Sequence, residues 1–295
     1  MTLINYLDII RFLTGLVILI IGSYTDLKER RVPNRVWVYA TPIGLILLFV
    51  QMVDSKFVMT DFLVFIPIAV LVAEEFIDRD DLVSKKHINV PWLSAFAIAF
   101  FVSIILIFFA INGHSKVAHI PVLMSMFFIF YYMGLIHGGA DAKAFITLTI
   151  IMPFYPSFVM PVYEMTDIMK TVFPFTFTLL INSIFAFIFV PLLLLIYNLI
   201  KGDLDIPMAF VGYKVDINSE GKYWPMEYVK DGKIFTTIFP SSRENPEDDI
   251  EKLKAFGKKR IWVTPKIPFI IPVTIAYIFT IFVGNIIEIL MFDTF

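Results

Sequence analysis

Long apolar runs, separated by short polar turns, fill most of this chain. A helix needs about 20 mainly apolar residues to cross the hydrocarbon core of a bilayer. Eight segments meet or approach that length: 3–24, 36–53, 62–77, 91–111, 120–137, 145–162, 172–199 and 267–291. The third is short. The sixth carries Pro153 and Pro156, which remove backbone donors and crowd the preceding turn, so a kink is expected there. Asp8 and Arg11 interrupt the first segment, and no small-residue cleavage site precedes the second, so the first is expected to be a span and not a removed signal peptide.

Residues 201–266 break the pattern. They contain 12 basic and 11 acidic residues, with apolar positions spaced as in a small folded unit. Segments 208–217 and 223–229 read as strands, and Asp231-Gly232 supplies a hairpin turn into a third at 233–239. Asn245 reads as a helix N-cap before Pro246, with Glu247 and Asp248 in the first turn and Gly257 as the stop. Ile250, Leu253 and Phe256 would then share one face. The expected fold is an all-α polytopic membrane protein of about eight transmembrane helices, with six to eight allowed, carrying a small cytoplasmic α+β domain. Its divisions are 1–200, the first seven helices; 201–266, the cytoplasmic domain; and 267–295, the last helix.

Composition supports a lipid environment. The chain is 58% hydrophobic and 17% charged, with 32 Phe among 295 residues, and a soluble domain is nearer half apolar and a quarter charged. Zero cysteines remove disulfides and thiolate metal sites, and His87, His114, His119 and His137 show no ligand spacing. Neither a metal nor another cofactor is expected. A net charge of −2 argues against bulk nucleic-acid binding.

Basic residues orient the spans. In the short loops, Lys28, Arg30, Arg31, Arg35, Arg79, Lys85, Lys86 and Lys143 fall on one side, and Arg11, Lys56, Lys116 and Lys170 on the other. The richer side is read as cytoplasmic. Two aspartates then lie at that face: Asp26, in Ser23-Tyr-Thr-Asp-Leu-Lys28 after the first span, and Asp141, in Gly138-Gly-Ala-Asp-Ala-Lys143 after the fifth. Carboxylates at the ends of membrane helices are expensive and usually functional. The plainer reading makes each an interfacial cap, paired with Lys28, Arg30 or Lys143.

The stretch Asp26-Leu-Lys-Glu-Arg-Arg-Val-Pro-Asn34, together with Gly138-Gly-Ala-Asp141, resembles the paired motifs of prepilin and preflagellin peptidases, the GxGD-type aspartic proteases of membranes (peptidase family A24), in their archaeal form. That resemblance implies cleavage of basic class III leaders from prepilin-like or preflagellin (archaellin-like) precursors at the cytoplasmic face of the cell membrane. It makes Asp26 and Asp141 the catalytic pair. Smaller archaeal members are expected to have six spans; two further helices between the aspartates would preserve their sidedness. The bacterial zinc element and methyl transfer are not carried over, because the chain has no cysteine.

Two carboxylates hydrolyse a peptide with one as general base on water and one as general acid. Helix polarity would make Asp141, in a first turn, the ionised base and Asp26, at a helix end, the protonated acid. Gly138 and Gly139 would let the chain turn and a substrate backbone approach. Lys28 is a topology determinant that could also tune Asp26, and Lys143 lies on a different helix face from Asp141. The acidic cluster Glu74, Glu75, Asp78, Asp80 and Asp81 is either a solvated loop or a holder of the basic leader. His137 reads as an interfacial residue. Two rivals are kept: an intramembrane protease of the signal-peptide-peptidase type, to which Thr25-Asp26 is a poorer match, and a proton-coupled transporter. Besides precursors, membrane lipid is the expected partner.

Overall fold

The computed structural model describes residues 3–76, 83–84, 87–88, 94, 97–98, 101–102, 105, 108, 116–136, 138–163, 165–219, 223–238, 240 and 246–292. Most of the expected span 91–111 lies outside these residues, as do Asp78, Asp80, Asp81, His114, His137 and the expected cap Asn245. The chain divides into two compact units, 1–184 with 268–295, and 185–267.

In the first unit, helices α1 (Leu3–Glu29) and α2 (Arg35–Asp54) are long and apolar enough to cross a membrane, as is α7 (Phe175–Lys201), whose first part belongs to this unit. Between them come a 3-10 turn (Met59–Val64), α3 (Phe65–Phe76), a small antiparallel pair β1 (Val83–Ser84) and β2 (His87–Ile88), α4 (His119–Tyr132), α5 (Gly139–Ile151) and the short α6 (Asp167–Val172). The unit closes with α10 (Ile270–Phe282) and α11 (Ile286–Phe292). α1 has one buried stripe, Leu7, Asp8, Arg11, Gly15, Ile18, Leu19 and Gly22, while Leu3, Tyr6, Ile10, Leu13, Val17 and Ile20 are exposed. That one-sided burial is what a helix facing lipid on its other side shows. α5 differs: Ala142 and every residue from Ala144 to Ile151 is buried, so it is the central helix of the unit. Small residues let its neighbours approach. A Cβ on Gly44 of α2 would lie 3.0 Å from Ile151 Cγ1, and Gly22 of α1 packs on Ile270 of α10.

Two expected spans are interrupted. The sixth ends as helix at Ile151, ahead of Pro153, where a kink was expected. The last breaks between α10 and α11 at Gly284, whose φ of +119° excludes a side chain and whose Cα lies against the Tyr163 carbonyl. The two interruptions meet: the N–H groups of Val162 and Tyr163 donate to the carbonyls of Phe282 and Val283 at 2.9 and 3.0 Å. Asn182 of α7 completes the set, its amide donating to Thr280 Oγ1 and the Gly284 carbonyl and its Oδ1 accepting from the Ile286 N–H. Non-helical backbone at membrane depth is tolerable where protein satisfies it in this way.

The second unit is α+β. Its elements are α8 (Met208–Val211), β3 (Tyr213–Asp216), β4 (Tyr223–Pro225), β5 (Glu227–Lys230), β6 (Lys233–Thr236), α9 (Pro246–Ala255) and β7 (Arg260–Pro265). An antiparallel sheet runs β3-β7-β4, with Tyr213 opposite Val263 and Trp224 opposite Thr264; β5 and β6 form a separate hairpin. The hairpin turns where expected, with Asp231 and Gly232 both at positive φ, 50° and 68°. Ile217, Ile261 and Val263 pack with Leu253 of α9 on one side of the sheet, and Trp262 with Ala209 and Met226 on another. Asp203 receives Arg260 at 2.6 Å and Lys214 at 3.2 Å, and the buried Glu227 receives Lys258 at 2.8 Å.

Two strand expectations are corrected here, and one strand is new. Met208–Val211 is helical, because the Asn198 amide holds the carbonyls of Ala209 and Gly212 at 2.9 and 2.7 Å, and only from Tyr213 does the chain extend. The strand expected at 223–229 changes partner at Met226, whose N–H binds Trp262 while its carbonyl takes Thr237. β7, the central strand, was not anticipated. Gly212 shows how tightly these parts fit: a Cβ there would collide with the Val263 carbonyl and lie 2.5 Å from Met226 Sδ. Gly212→Ala is expected to cost about 1–3 kcal/mol, measured as a lowered melting temperature of the full chain; an unchanged melt would show that the sheet can yield at this point.

Candidate active site

Asp26 sits in the last turn of α1. The helix does not end at it but continues to Glu29, and the Arg30 N–H closes the turn on the Asp26 carbonyl at 2.9 Å, with Arg30 itself at φ 59°. Asp141 sits in the first turn of α5, before the expected span 145–162 begins. The N-cap is Gly138, extended at φ −96° and ψ 122°, and its carbonyl accepts from Asp141 and Ala142 at 3.0 and 3.1 Å. Both aspartates are half-buried.

The charge of Asp26 reaches Asp141. Burial first, and then the negative charge of Asp26, push the Asp141 carboxyl up to about 7. Asp26 is half-buried, and the charge of Arg30, just past the end of α1, also reaches it. The placement on which the expected roles rest is seen, with Asp141 in a first turn and Asp26 in a last turn, and at Asp141 burial acts against the favourable first-turn amides.

The glycines are unequal. The Asp141 carboxylate folds back over Gly138, so that a Cβ on Gly138 would collide with Oδ2 and lie 2.9 Å from Cγ. For a Cβ on Gly139 the nearest described atoms would be those of the Tyr131 ring, at an ordinary 3.5 Å from its hydroxyl. Lys143 Nζ donates to Asn34 Oδ1 at 2.6 Å, joining the end of the first motif to the second. Asn34 was visible only as the last residue of the first motif; nothing in its local sequence announced this bond. Lys28 Nζ lies 6.0 Å from the centroid of the Tyr24 ring, one turn back along α1. Asp80 and Asp81 lie outside the described residues, and the side chains of Glu74 and Glu75 are likewise not described. Among the described residues, no three His, Cys, Asp or Glu side chains gather to hold a metal ion.

Comparison with known proteins places this arrangement. Residues 205–286 match the family model for the archaeal peptidase A24 C-terminus, type II. A preflagellin peptidase of Methanococcus maripaludis is 30% identical over 168 residues, covering 54% of this chain and 69% of that protein. Preflagellin peptidases of Methanococcus voltae and Methanocaldococcus jannaschii are 26% and 24% identical, each over 70% of this chain, and covering 89% and 88% of those proteins. The apolar helices and these relatives make the chain a membrane peptidase. It belongs to the archaeal preflagellin peptidase family of peptidases A24. The transporter and the signal-peptide-peptidase alternatives are not favoured.

Proposed function

We propose that this chain is an aspartic endopeptidase that removes short basic leaders from preflagellin or prepilin-like precursors, with Asp26 and Asp141 as its catalytic pair. One observation carries the reading. Two half-buried carboxyls on separate helices lie near enough that the charge of Asp26 adds to burial, the larger cause, in raising Asp141 to about 7. Such a pair retains one proton and titrates as a unit, which is the state in which one group activates water and the other protonates the carbonyl oxygen or the leaving nitrogen. Gly138 and Gly139 form the active-site loop. Lys28 and Lys143 are neighbours that tune or brace it, and Asp80 and Asp81 would hold the basic leader.

In this reading the membrane part, 1–200 and 267–295, crosses the bilayer eight times, the pair lies at the cytoplasmic face, and 201–266 is a cytoplasmic domain. The location suits the substrate. The scissile bond joins a charged segment to an apolar helix, so attack belongs at the interface, where water is available. The test is incubation of the purified protein with precursors that carry a basic leader before an apolar helix, reading the new amino terminus of each product. A single cut at the junction is expected. Cuts within the apolar helix, or no cut in any such precursor, would overturn the reading.

A further inference from the structure

α1 carries a second pair of charged side chains, at the end remote from Asp26. Asp8 and Arg11 lie one turn apart and are 4% and 1% exposed. The chemistry proposed above uses neither. Buried charges in a membrane helix are costly and are retained where they do something.

Their bonds go to the helix that bears Asp141. Arg11 Nη1 donates to the carbonyl of Ile151, the last residue of α5, at 3.3 Å. That carbonyl is free to accept because the helix stops before Pro153 and leaves its last acceptors without amide partners. Asp8 Oδ2 accepts from both the backbone N–H and the hydroxyl of Ser157, at 2.8 and 2.7 Å. Ser157 lies just beyond α5, so Asp8 and Arg11 together fasten the end of α5 and the chain leaving it to the start of α1.

At the other ends of the same two helices, the charge of Asp26 reaches Asp141. The buried stripe of α1 runs from Asp8 and Arg11 through Gly15, Ile18 and Gly22, and its next turn brings Asp26. Asp26 follows Asp8 by five helical turns, which puts both on one face about 27 Å apart. On α5, Asp141 occupies the first turn and Ile151 the last position. Each helix therefore has one catalytic candidate at one end and one fastened group at the other.

We infer that Asp8 and Arg11 are positioning residues that set the register of α1 against α5 and so the approach of Asp26 to Asp141. The inference rests on the reading of those aspartates as the catalytic pair. A helix transmits a shift at one end to the other, and a misplacement of about 1 Å costs on the order of 10²-fold in rate.

The test uses the full-length protein. Arg11→Met, Asp8→Asn and Ser157→Ala are expected to lower kcat roughly 10- to 100-fold with KM little changed, and Arg11→Lys to recover most of the loss. Because the chain has no cysteine, a D26C/D141C protein reports the approach directly, by its rate of disulfide formation, without any catalysis. Adding Arg11→Met or Ser157→Ala is expected to slow that rate severalfold at an unchanged folded fraction. Wild-type kcat in folded Arg11→Met and Ser157→Ala, or an unchanged cross-linking rate, overturns the inference. If Arg11→Met does not fold, Ser157→Ala and Asp8→Asn give the same readings. Cleavage that survives Asp26→Ala and Asp141→Ala would instead remove the catalytic reading, and the cross-linking rates would still decide whether Asp8 and Arg11 set the register.

Discussion

Asp26→Ala and Asp141→Ala are each expected to reduce leader cleavage by roughly 10²–10⁴-fold, the range a single general acid or base supplies, with the folded fraction unchanged. The reason is that neither carboxyl can serve alone. One must be ionised to take a proton from water while the other is protonated to give one. The pH dependence follows with a definite sign. Asp141 is held up to about 7 by burial and then by Asp26, so the shared proton is present below that value and lost as pH rises through it. Cleavage is expected to fall on that alkaline side. In Asp26→Asn the facing charge is gone but the burial remains, so the carboxylate band of Asp141, followed by infrared titration, should appear at a lower pH than in wild type and still above the ordinary carboxylate value. An Asp141 band that does not move in Asp26→Asn would mean that the two groups do not act as a pair.

Gly138→Ala is the second large effect. Its backbone conformation is one that alanine adopts freely, so folding should be spared. Its methyl group, however, would occupy the place of Asp141 Oδ2. The carboxylate must rotate away, and a displacement of this size in a reacting group costs on the order of 10²-fold in kcat. Gly139→Ala is expected to be the milder of the two, since the nearest atoms to its methyl group would be those of the Tyr131 ring at ordinary contact distance. Full activity in Gly138→Ala would show that the folded-back carboxylate is not the working arrangement.

The long helices and the two motifs were legible because their signals are local. An apolar run between polar turns announces α1, α2 and α7, and Asp231-Gly232 announces its hairpin. What was not legible depended on contacts distant in sequence. Arg11 reads as a loop cation in a count of charges, yet it is buried inside α1 with its bond to Ile151, far along the chain. β7 shows no alternation because Ile261, Trp262 and Val263 are all buried, as a central strand between two partners requires. Met208–Val211 has the composition of a strand, and the Asn198 side chain helps make it a helix. The electrostatic setting of the two aspartates was illegible for a similar reason. Helix polarity can be read from a motif, whereas the burial of Asp141 and the nearness of Asp26 exist only after folding.

The paired interruptions in the membrane unit carry a consequence for how such a chain can change over generations. Straightening the final helix, by replacing Gly284 with a helix-former, would take the Phe282 and Val283 carbonyls away from the N–H groups of Val162 and Tyr163. Breaking these paired backbone bonds on one side alone costs stability. Descendants of this sequence should therefore keep both or lose both, and Gly284, Asn182 and the prolines after Ile151 are expected to vary together.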